Sequence, residues 1–432
     1  MSSSDSLLDT PVTWQDVETE VQKTLGITAK FGDNRKAVNL GHMKGFMSRI
    51  ALIDADWVDV PENFQLPEKL VVKISSNQAL ADLSTINGFL KEGTGIEGET
   101  EEKKLEMAEV VKLLHNLEVQ MYSIIDRENN PNIPTTKVYA SKMFTEENRE
   151  HGFLVTDFVP NAYSIPMYEN IPFKDLLPVI DAIAAYSAMG ERMSEAEKKA
   201  TIEGEYIEGN VKSFFPDNTS EVMRKELTEV LGSSYHDQID NAMEVFHLIC
   251  RKSEVLKNYS KISEFLGKEC IGSANIWVSG HKPVLMHSDL WSANMIFTKN
   301  SDGSFVFKAL IDFQTASFSS PGLDVASIAI SCLSPEDRRQ HKDELLQRYY
   351  DKFVENLNGS PVPYTLKQLH DSYELSFPAC VVVVMPFIWS YAKHAGGSAI
   401  EAARKKIAGI VEDVNSIQKS NFEKFPEFFK LV

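Results

Sequence analysis

The pattern of hydrophobic and polar positions predicts strands around one long helix in the first part of the chain. Apolar residues from Leu70 to Ile74 predict a strand, although Lys73 lies within it. From Lys104 to Ile125, apolar residues recur at spacings of three and four, which predicts an amphipathic helix. Further short strands are predicted within residues 36–60, 136–140 and 153–158. These are the elements of a small mixed lobe.

The second part of the chain predicts mostly helices, at residues 172–190, 219–231, 235–266, 324–333, 336–358, 365–394 and 398–418. A strand and a hairpin within residues 283–312 interrupt this pattern. A mixed lobe followed by a helical lobe predicts an α+β, two-lobed fold with a ligand cleft between the lobes. We place the lobes at residues 1–158, with a leader segment at 1–25 and an exposed insertion at 85–104, and at residues 159–432.

The densest polar motif follows an apolar strand and reads His287-Ser288-Asp289-Leu290-Trp291-Ser292-Ala293-Asn294. Asp312 ends a second apolar strand 18 positions after Asn294. This H-x-D-x-x-x-x-N pattern resembles the catalytic loop and the metal-binding aspartate of kinases. The alternative is that these are loop residues without chemistry and that Asp312 caps a turn. Four polar residues at these spacings, each beside an apolar strand, favour the catalytic interpretation.

A hairpin is predicted to bring part of this motif together. Asp302-Gly303 lies between two apolar runs and predicts the turn. With these two residues as the turn, position i pairs with position 605 − i. Asn294 then lies opposite Ile311, next to Asp312.

These side chains suit phosphoryl transfer. Mg²⁺ prefers oxygen ligands and takes one or two protein groups together with phosphate oxygens, which Asp312 and Asn294 can supply. Asp289 would accept the proton of a substrate hydroxyl. His287 would orient the loop by hydrogen bonding.

Two charged residues at apolar positions predict an ion pair. Lys73 is costly to bury alone, and Glu118 lies on the apolar stripe of the predicted helix. Pairing them removes both anomalies and supplies the cation that a kinase places on the phosphates. Alternatively, Lys73 extends to solvent at a strand edge and Glu118 lies at the margin of the stripe. A metal-dependent hydrolase built on the loop residues would leave both unexplained.

Other nucleotide contacts are predicted from position along the chain. Gly41 and Gly45 lie between strand-like runs ahead of Lys73 and predict a phosphate loop, to which Ser48 would contribute. The alternative for this segment is an ordinary hairpin turn. The hinge that binds adenine through its backbone is predicted where an apolar strand leaves the first lobe, at Thr156, Asp157 and Phe158.

Composition narrows the range of partners. The 432 residues include 44 Lys and Arg against 62 Asp and Glu, and the formal charge of −18 argues against nucleic acid or an anionic membrane. The most apolar stretch, from Phe377 to Trp389, is 13 residues long and too short for a membrane span. The start shows no signal-peptide pattern, and the four cysteines form no C-x-x-C pair. We therefore expect a cytoplasmic protein with a small-molecule partner.

The chain resembles the CHK-kinase-like family of small-molecule kinases, which includes ecdysteroid-kinase-like proteins and many nematode members and is related to choline kinase and the aminoglycoside phosphotransferases. The residues that carry the resemblance are His287 to Trp291 with Asn294, Ile311-Asp312-Phe313-Gln314, Gly322-Leu323-Asp324, Lys73, and His115-Asn116 with Glu118. The resemblance implies a protein-kinase-like two-lobed fold, ATP and Mg²⁺ as cofactors, and phosphoryl transfer to a hydroxyl of a small metabolite or xenobiotic, such as a steroid or glycoside. One departure is Ile183-Ala184-Ala185-Tyr186, where related kinases often carry Ala-x-Leu-His.

Asp324 follows Asp312 by 12 positions, which leaves no room for the long activation loop of a protein kinase. Asp324 opens a helix, where it is predicted to cap the helix or also to brace the catalytic loop.

Candidates for the acceptor pocket are Trp291, Trp389 and His394, with core packing as the alternative for the last two. A catalytically weak nucleotide-binding scaffold is an alternative function, but the complete set of predicted catalytic residues favours activity.

Overall fold

The computed structural model describes residues 5–40, 48–76, 101–201, 219–244 and 282–426. Within them the chain forms a smaller N-terminal lobe built on an antiparallel sheet and a larger, mainly helical lobe. The predicted α+β, protein-kinase-like two-lobed fold is confirmed. The elements of the N-terminal lobe are α1 (Trp14–Leu25), β1 (Lys30–Phe31), β2 (Lys36–Asn39), β3 (Arg49–Asp54), β4 (Trp57–Val58), β5 (Lys69–Ser76), α2 (Glu101–Glu128), β6 (Val138–Lys142) and β7 (His151–Asp157).

The C-terminal lobe contains three further strand pairings and most of the helices. Its elements are β8 (Ala162–Tyr163), α3 (Phe173–Met189), α4 (Glu195–Ala200), α5 (Thr219–Leu231), β9 (Val284–Met286), β10 (Met295–Lys299), β11 (Phe305–Leu310), β12 (Ser317–Ser319), α6 (Leu323–Cys332), α7 (Pro335–Gln340), α8 (Lys342–Asn356), α9 (Leu366–Ala395) and α10 (Ser398–Lys424). The single helix predicted at 336–358 is two helices, because His341, at φ −110° and ψ 11°, breaks the helix between α7 and α8. The helix predicted at 235–266 is described only as far as residue 244.

Strand β5 lies at the centre of a five-stranded sheet with the order β2-β3-β5-β7-β6, in which every neighbouring pair is antiparallel. Lys73 pairs with Ile50 of β3 on one side and with Leu154 of β7 on the other. Because side chains alternate along a strand, Val72 and Ile74 are buried on one face of the sheet and Lys73 lies on the other.

Helix α1 covers the apolar face of this sheet. Thr13 caps its N-terminus in a capping box with Asp16, and Gly26 ends it in the left-handed conformation at φ 65°. Val17 and Val21 are buried in one core with residues of the sheet. Residues 5–25, which we expected to be a leader segment, therefore form part of the lobe. The predicted insertion lies mostly outside the described residues, and its last part, from Glu101, belongs to α2.

The chain passes from one lobe to the other after β7, since β8 pairs with β10 in the helical lobe. Helix α3 is buried along most of its length, and the long helix α9 packs against α6 and α10. The apolar stretch from Phe377 to Trp389 lies within α9 and is mostly buried, as predicted for a core helix. In the described part of the chain no single helix is long and apolar enough to cross a membrane. The two arms of α9, which meet at a 43° bend, reach the required length and apolar composition only when they are taken together.

Candidate active site

The hairpin β10–β11 joins the two halves of the polar motif. Met295 pairs with Leu310, and the Ile311 N–H donates to the Asn294 carbonyl at 3.1 Å, as the predicted register requires. The two-residue turn was wrong at the far end of the hairpin. A bulge after Ile296 shifts the register by one, because the loop is longer and is closed by the Asp302 carboxylate, which accepts hydrogen bonds from the Ser304 backbone and hydroxyl.

Asp289 and Asn294 are hydrogen-bonded to each other on the loop before this hairpin. The Asn294 amide nitrogen donates to the Asp289 carbonyl at 2.7 Å and to its carboxylate at 3.0 Å. Burial, together with the negative charge of Asp312, raises the pKa of Asp289 to about 6. This carboxylate is therefore mostly ionised at pH 7, but its pKa is closer to 7 than that of an exposed aspartate.

Asp312 lies in the left-handed region at φ 69°, which an aspartate tolerates better than most residues. Its carboxylate is 2.6 Å from the Lys73 ammonium. The next residue, Phe313, is fully buried, and its ring packs against Tyr122, Tyr186 and His287. This anchor fixes the backbone that aims Asp312 toward the sheet.

Lys73 bridges Asp312 and Glu118, whose carboxylate is 2.7 Å from the ammonium. The ion pair predicted from two misplaced charges is therefore present. Burial alone would lower the pKa of Lys73, but the charges of Asp312 and Glu118 outweigh it and raise this pKa above its usual range. Burial raises the pKa of Glu118, and the Lys73 charge opposes that rise. Lys73 thus remains a cation in the cleft.

His287 and Asp324 support the catalytic loop from beneath. The His287 ring is fully buried and its Nε2 donates to the Ile311 carbonyl at 3.0 Å. Burial lowers the pKa of His287 to about 4, so the neutral ring positions the loop and does not exchange protons near pH 7. The Asp324 carboxylate accepts the backbone N–H groups of His287 and Ser288 at 2.7 and 2.9 Å. The N-cap position of α6 belongs to Gly322, so Asp324 is a brace and does not cap the helix.

The predicted nucleotide-contacting residues are described only in part. Gly41 and Gly45 lie outside the described residues, and Ser48 directly precedes β3 and is half-buried. Thr156 is buried at the end of β7. The Asp157 carboxylate accepts the Lys137 N–H at 2.8 Å, which ties the end of β7 to the start of β6. Phe158 follows on the segment that connects the lobes, with Lys69 at 6.0 Å from its ring.

The three candidates for the acceptor pocket are not brought together. Trp291, beside Asp289, packs against Phe387 and Tyr391 of α9, with ring centroids 6.3 and 6.1 Å apart. Trp389 is buried in the core, and His394 is exposed in the last turn of α9. Phe387 was missed as a candidate, although its i, i+4 spacing to Tyr391 places both residues on one helix face.

Tyr186 in α3 lies where the chain departs from the pattern of related kinases. It is fully buried, and its ring lies 5.3 Å from Phe313 and 6.4 Å from His287. At this position the side chain supports the catalytic loop from inside the core.

The arrangement fits a magnesium–nucleotide complex. Among the described residues, no three His, Cys, Asp or Glu side chains form a metal cluster of their own. Nucleotide-bound Mg²⁺ needs only one or two protein ligands. The Asp312 carboxylate can provide one, and the Asn294 amide oxygen is available because both of its hydrogen bonds use the amide nitrogen. Glu118 and Asp312 both contact the Lys73 ammonium, and the Asp289 carboxylate interacts electrostatically with Asp312, so the three carboxylates favour a further cation.

The comparisons with known proteins confirm the resemblance to the CHK-kinase-like family seen in the sequence. The chain belongs to the DUF1679 family, whose model is described as "Uncharacterized oxidoreductase dhs-27" and matches residues 1–422. A curated relative from Caenorhabditis elegans, "Uncharacterized kinase-like protein D1044.1", is 24% identical over 272 residues. That match covers 63% of this chain and 65% of the relative's length.

Several solved structures also match over most of the chain. A Ralstonia eutropha protein with a provisional aminoglycoside phosphotransferase assignment matches with a TM-score of 0.43 and 10% identity, over 94% of this chain and 97% of its own. The GDP complex of an aminoglycoside 2′-phosphotransferase matches with a TM-score of 0.40 and 12% identity, over 93% and 99%. Plasmodium vivax ethanolamine kinase matches with a TM-score of 0.34 and 14% identity, over 88% and 82%.

Proposed function

We propose that this protein is an ATP-dependent small-molecule kinase that transfers the γ-phosphoryl group to a hydroxyl of a small metabolite or xenobiotic. The observation that carries the proposal is the contact of Lys73 with Glu118 and with Asp312, which lies 239 positions later in the chain. Asp289 and Asn294 lie on the loop that leads to the same hairpin. Burying such a cluster of charges costs free energy, and clusters of this kind are concentrated at functional sites.

Each side chain has a distinct role in the proposed transfer. Lys73, held by Glu118, binds phosphate oxygens of ATP. Asp312 and Asn294 would hold Mg²⁺, which would supply positive charge to neutralise the phosphate oxygens. Asp289 accepts the proton of the acceptor hydroxyl as the new oxygen–phosphorus bond forms. The bond between the γ-phosphorus and its bridging oxygen breaks, ADP leaves, and Asp289 returns its proton to solvent.

Two backbone segments would hold the rest of the nucleotide. The loop with Gly41, Gly45 and Ser48 would cover the phosphates, and the backbone of residues 156–158 would bind adenine. The short connection from Asp312 to Asp324 favours a compact acceptor over a protein. Trp291 is the best placed of the predicted residues to shape the acceptor pocket, because it lies on the catalytic loop two positions after Asp289 and packs against Phe387 and Tyr391 of α9.

Asp289→Asn tests the proposal directly. We expect this variant to lose transfer of labelled phosphate from ATP to a metabolite extract, while its dissociation constant for Mg-ATP changes by less than about threefold, since the side chain is not a phosphate ligand. Asp302→Asn, on the exposed end of the same hairpin, is the matched control and should retain transfer. Mg-ATP binding without transfer in the unmodified protein would instead identify a nucleotide-binding scaffold.

The family description raises an oxidoreductase as a second candidate. Its usual dinucleotide site needs a parallel strand–helix–strand unit. In the described residues the strand pairs are antiparallel, and the one parallel contact is an isolated bridge between Thr135 and Leu310. Gly93-Thr94-Gly95-Ile96-Glu97-Gly98 fits the G-x-G-x-x-G spacing but lies outside the described residues and follows β5 of an antiparallel sheet. NADH or NADPH binding in place of ATP binding would favour this candidate.

A further inference from the structure

Two consecutive side chains of α2 attach this helix to the end of β6 and the residues that follow. The Asn116 amide nitrogen donates to the Phe144 carbonyl at 2.9 Å, and the Phe144 N–H donates back to the Asn116 amide oxygen at 2.9 Å. The His115 Nε2 donates to the Lys142 carbonyl, also at 2.9 Å. Three hydrogen bonds therefore join two adjacent helix residues to two residues at the end of the edge strand, Lys142 and Phe144.

The approach of α2 to the sheet depends on Gly152 in β7. A Cβ atom at this position would lie 2.4 Å from the His115 ring and 2.9 Å from the Phe144 ring, closer than real Cβ contacts allow. The two rings meet edge to face, with centroids 5.5 Å apart and an interplanar angle of 90°. Only glycine leaves the space in which the helix settles against β7.

This attachment lies one helical turn from the ion pair of the site. Gly152 pairs with Ser75, two residues along β5 from Lys73, and Glu118 follows His115 by three positions. Two residues along β5 span about 6.8 Å and three residues along α2 rise about 4.5 Å, so the distance from Ser75 to Lys73 is similar to the distance from His115 to Glu118. Residues three apart share a helix face, which turns Glu118 toward Lys73 when His115 rests on Gly152.

We propose that Asn116 and His115 are positioning residues that hold α2 where Glu118 pairs with Lys73, so that the ATP site is assembled before nucleotide binds. This inference rests on the proposed kinase function. In kinases the place of this helix decides whether the lysine–glutamate pair forms. Here three hydrogen bonds to the backbone would hold the helix in place. The connection between Asp312 and Asp324 is too short to form an activation loop that could move it.

Asn148 offers a matched control, because it stabilises the same turn without touching α2. Its amide nitrogen donates to the Met143 carbonyl at 2.8 Å and to the His151 carbonyl at 2.9 Å. Asn116→Ala and Asn148→Ala therefore each remove two hydrogen bonds made by one amide to the segment between β6 and β7. Similar losses of thermal stability are expected for the two variants.

Binding of Mg-ATP to the ligand-free variants separates the roles. We expect Asn116→Ala to raise the dissociation constant roughly tenfold, because only the fraction of molecules with α2 in place binds well, and to speed hydrogen exchange in residues 108–120. KM for ATP should rise with it, while KM for the acceptor stays within about twofold. Asn148→Ala should change the dissociation constant by less than about twofold. Gly152→Ala, which keeps all three hydrogen-bonding partners, should weaken binding as Asn116→Ala does and provides the test if that variant does not fold.

Glu118→Gln shows how much the loss of the ion pair itself weakens Mg-ATP binding, and this comparison keeps the two proposals distinguishable. If Glu118→Gln weakens Mg-ATP binding but Asn116→Ala and Gly152→Ala do not, the positioning role is overturned and the kinase proposal stands. Equal weakening by Asn116→Ala and Asn148→Ala would also overturn it, since the effect would then come from the turn. If neither Glu118→Gln nor Lys73→Ala changes Mg-ATP binding, the proposed function fails and this inference fails with it.

Discussion

Asp324→Asn tests how a buried carboxylate shapes the catalytic loop. Asp324 is 2% exposed, and its two oxygens accept the N–H groups of His287 and Ser288. Asparagine has one acceptor oxygen, so one N–H would meet an amide N–H₂ group instead. Ser288 also lies in the left-handed region at φ 68°, which costs about 1–2 kcal/mol for a residue of its kind and is held by these bonds.

We expect Asp324→Asn to lower kcat more than it changes KM. Losing one hydrogen bond to a charged group costs about 1.5–3 kcal/mol, and if most of it distorts the loop, kcat falls roughly 10- to 100-fold. KM for ATP should stay within about twofold, because Lys73 and the hinge are unaffected. Steady-state ADP release measures both constants. Asp413→Asn is the control, since it removes a buried carboxylate of α10 that pairs with Arg338 and Arg339 of α7, and it should lower stability without lowering kcat.

The same variant has a predictable pH signature in stability. Burial raises the pKa of Asp324 to about 6, above its unfolded value near 4. A raised pKa means that the stability associated with this group is full below about pH 4 and is lost as the pH rises through 6, by up to about 3 kcal/mol. Asparagine does not ionise, so the difference in unfolding free energy between variant and wild type should move in the variant's favour between pH 4.5 and pH 8. An unchanged kcat, or a difference that does not vary with pH, would refute the reasoning.

Three further outcomes are expected. Lys73→Ala should raise KM for ATP at least tenfold with the acceptor KM unchanged, and unaltered kinetics would remove Lys73 from the site. Asn294→Ala should raise the Mg²⁺ concentration needed for half-maximal activity, whereas loss of activity at every Mg²⁺ concentration would assign Asn294 only to the loop. Lys406→Met should lower the free energy of unfolding in urea by about 3 kcal/mol, because it leaves the carbonyls of Met167, Glu169 and Ser331 without their buried Nζ donor; an unchanged midpoint would contradict this.

Sequence patterns predicted the elements near the site well and the long-range contacts less well. The hairpin register was right where it meets the catalytic loop, because both strands are short and apolar, and wrong near the turn, where a side chain closes a longer loop. Lys73 and Glu118 could be paired because each broke a local hydrophobic pattern. Asn116 broke no such pattern and was noted only through the family resemblance, which gave it no role, because an asparagine on a helix is ordinary until a backbone segment is placed beside it.

The aromatic residues show the same limit. Trp291, two positions after Asp289, was favoured over Trp389 and His394 as an acceptor contact, and of the three only Trp291 belongs to the catalytic loop. Trp389 faces the core because α9 must bury its apolar side against α6 and α10. Helical spacing alone gives the angle between two residues on one helix but not which face meets which neighbour.

The amino-acid sequence by itself determined the chemistry available to this protein: a loop with Asp289 and Asn294, a strand ending in Asp312, and a lysine too polar for its own strand. Those features depend on neighbours along the chain, and local spacing encodes them. Only the tertiary structure decided that Lys73 contacts both Glu118 and Asp312, that Asp324 braces the loop, and that Gly152 lets α2 rest against the sheet. Such contacts depend on how closely separate elements can pack, and close packing is settled by the excluded volume of all the residues between them.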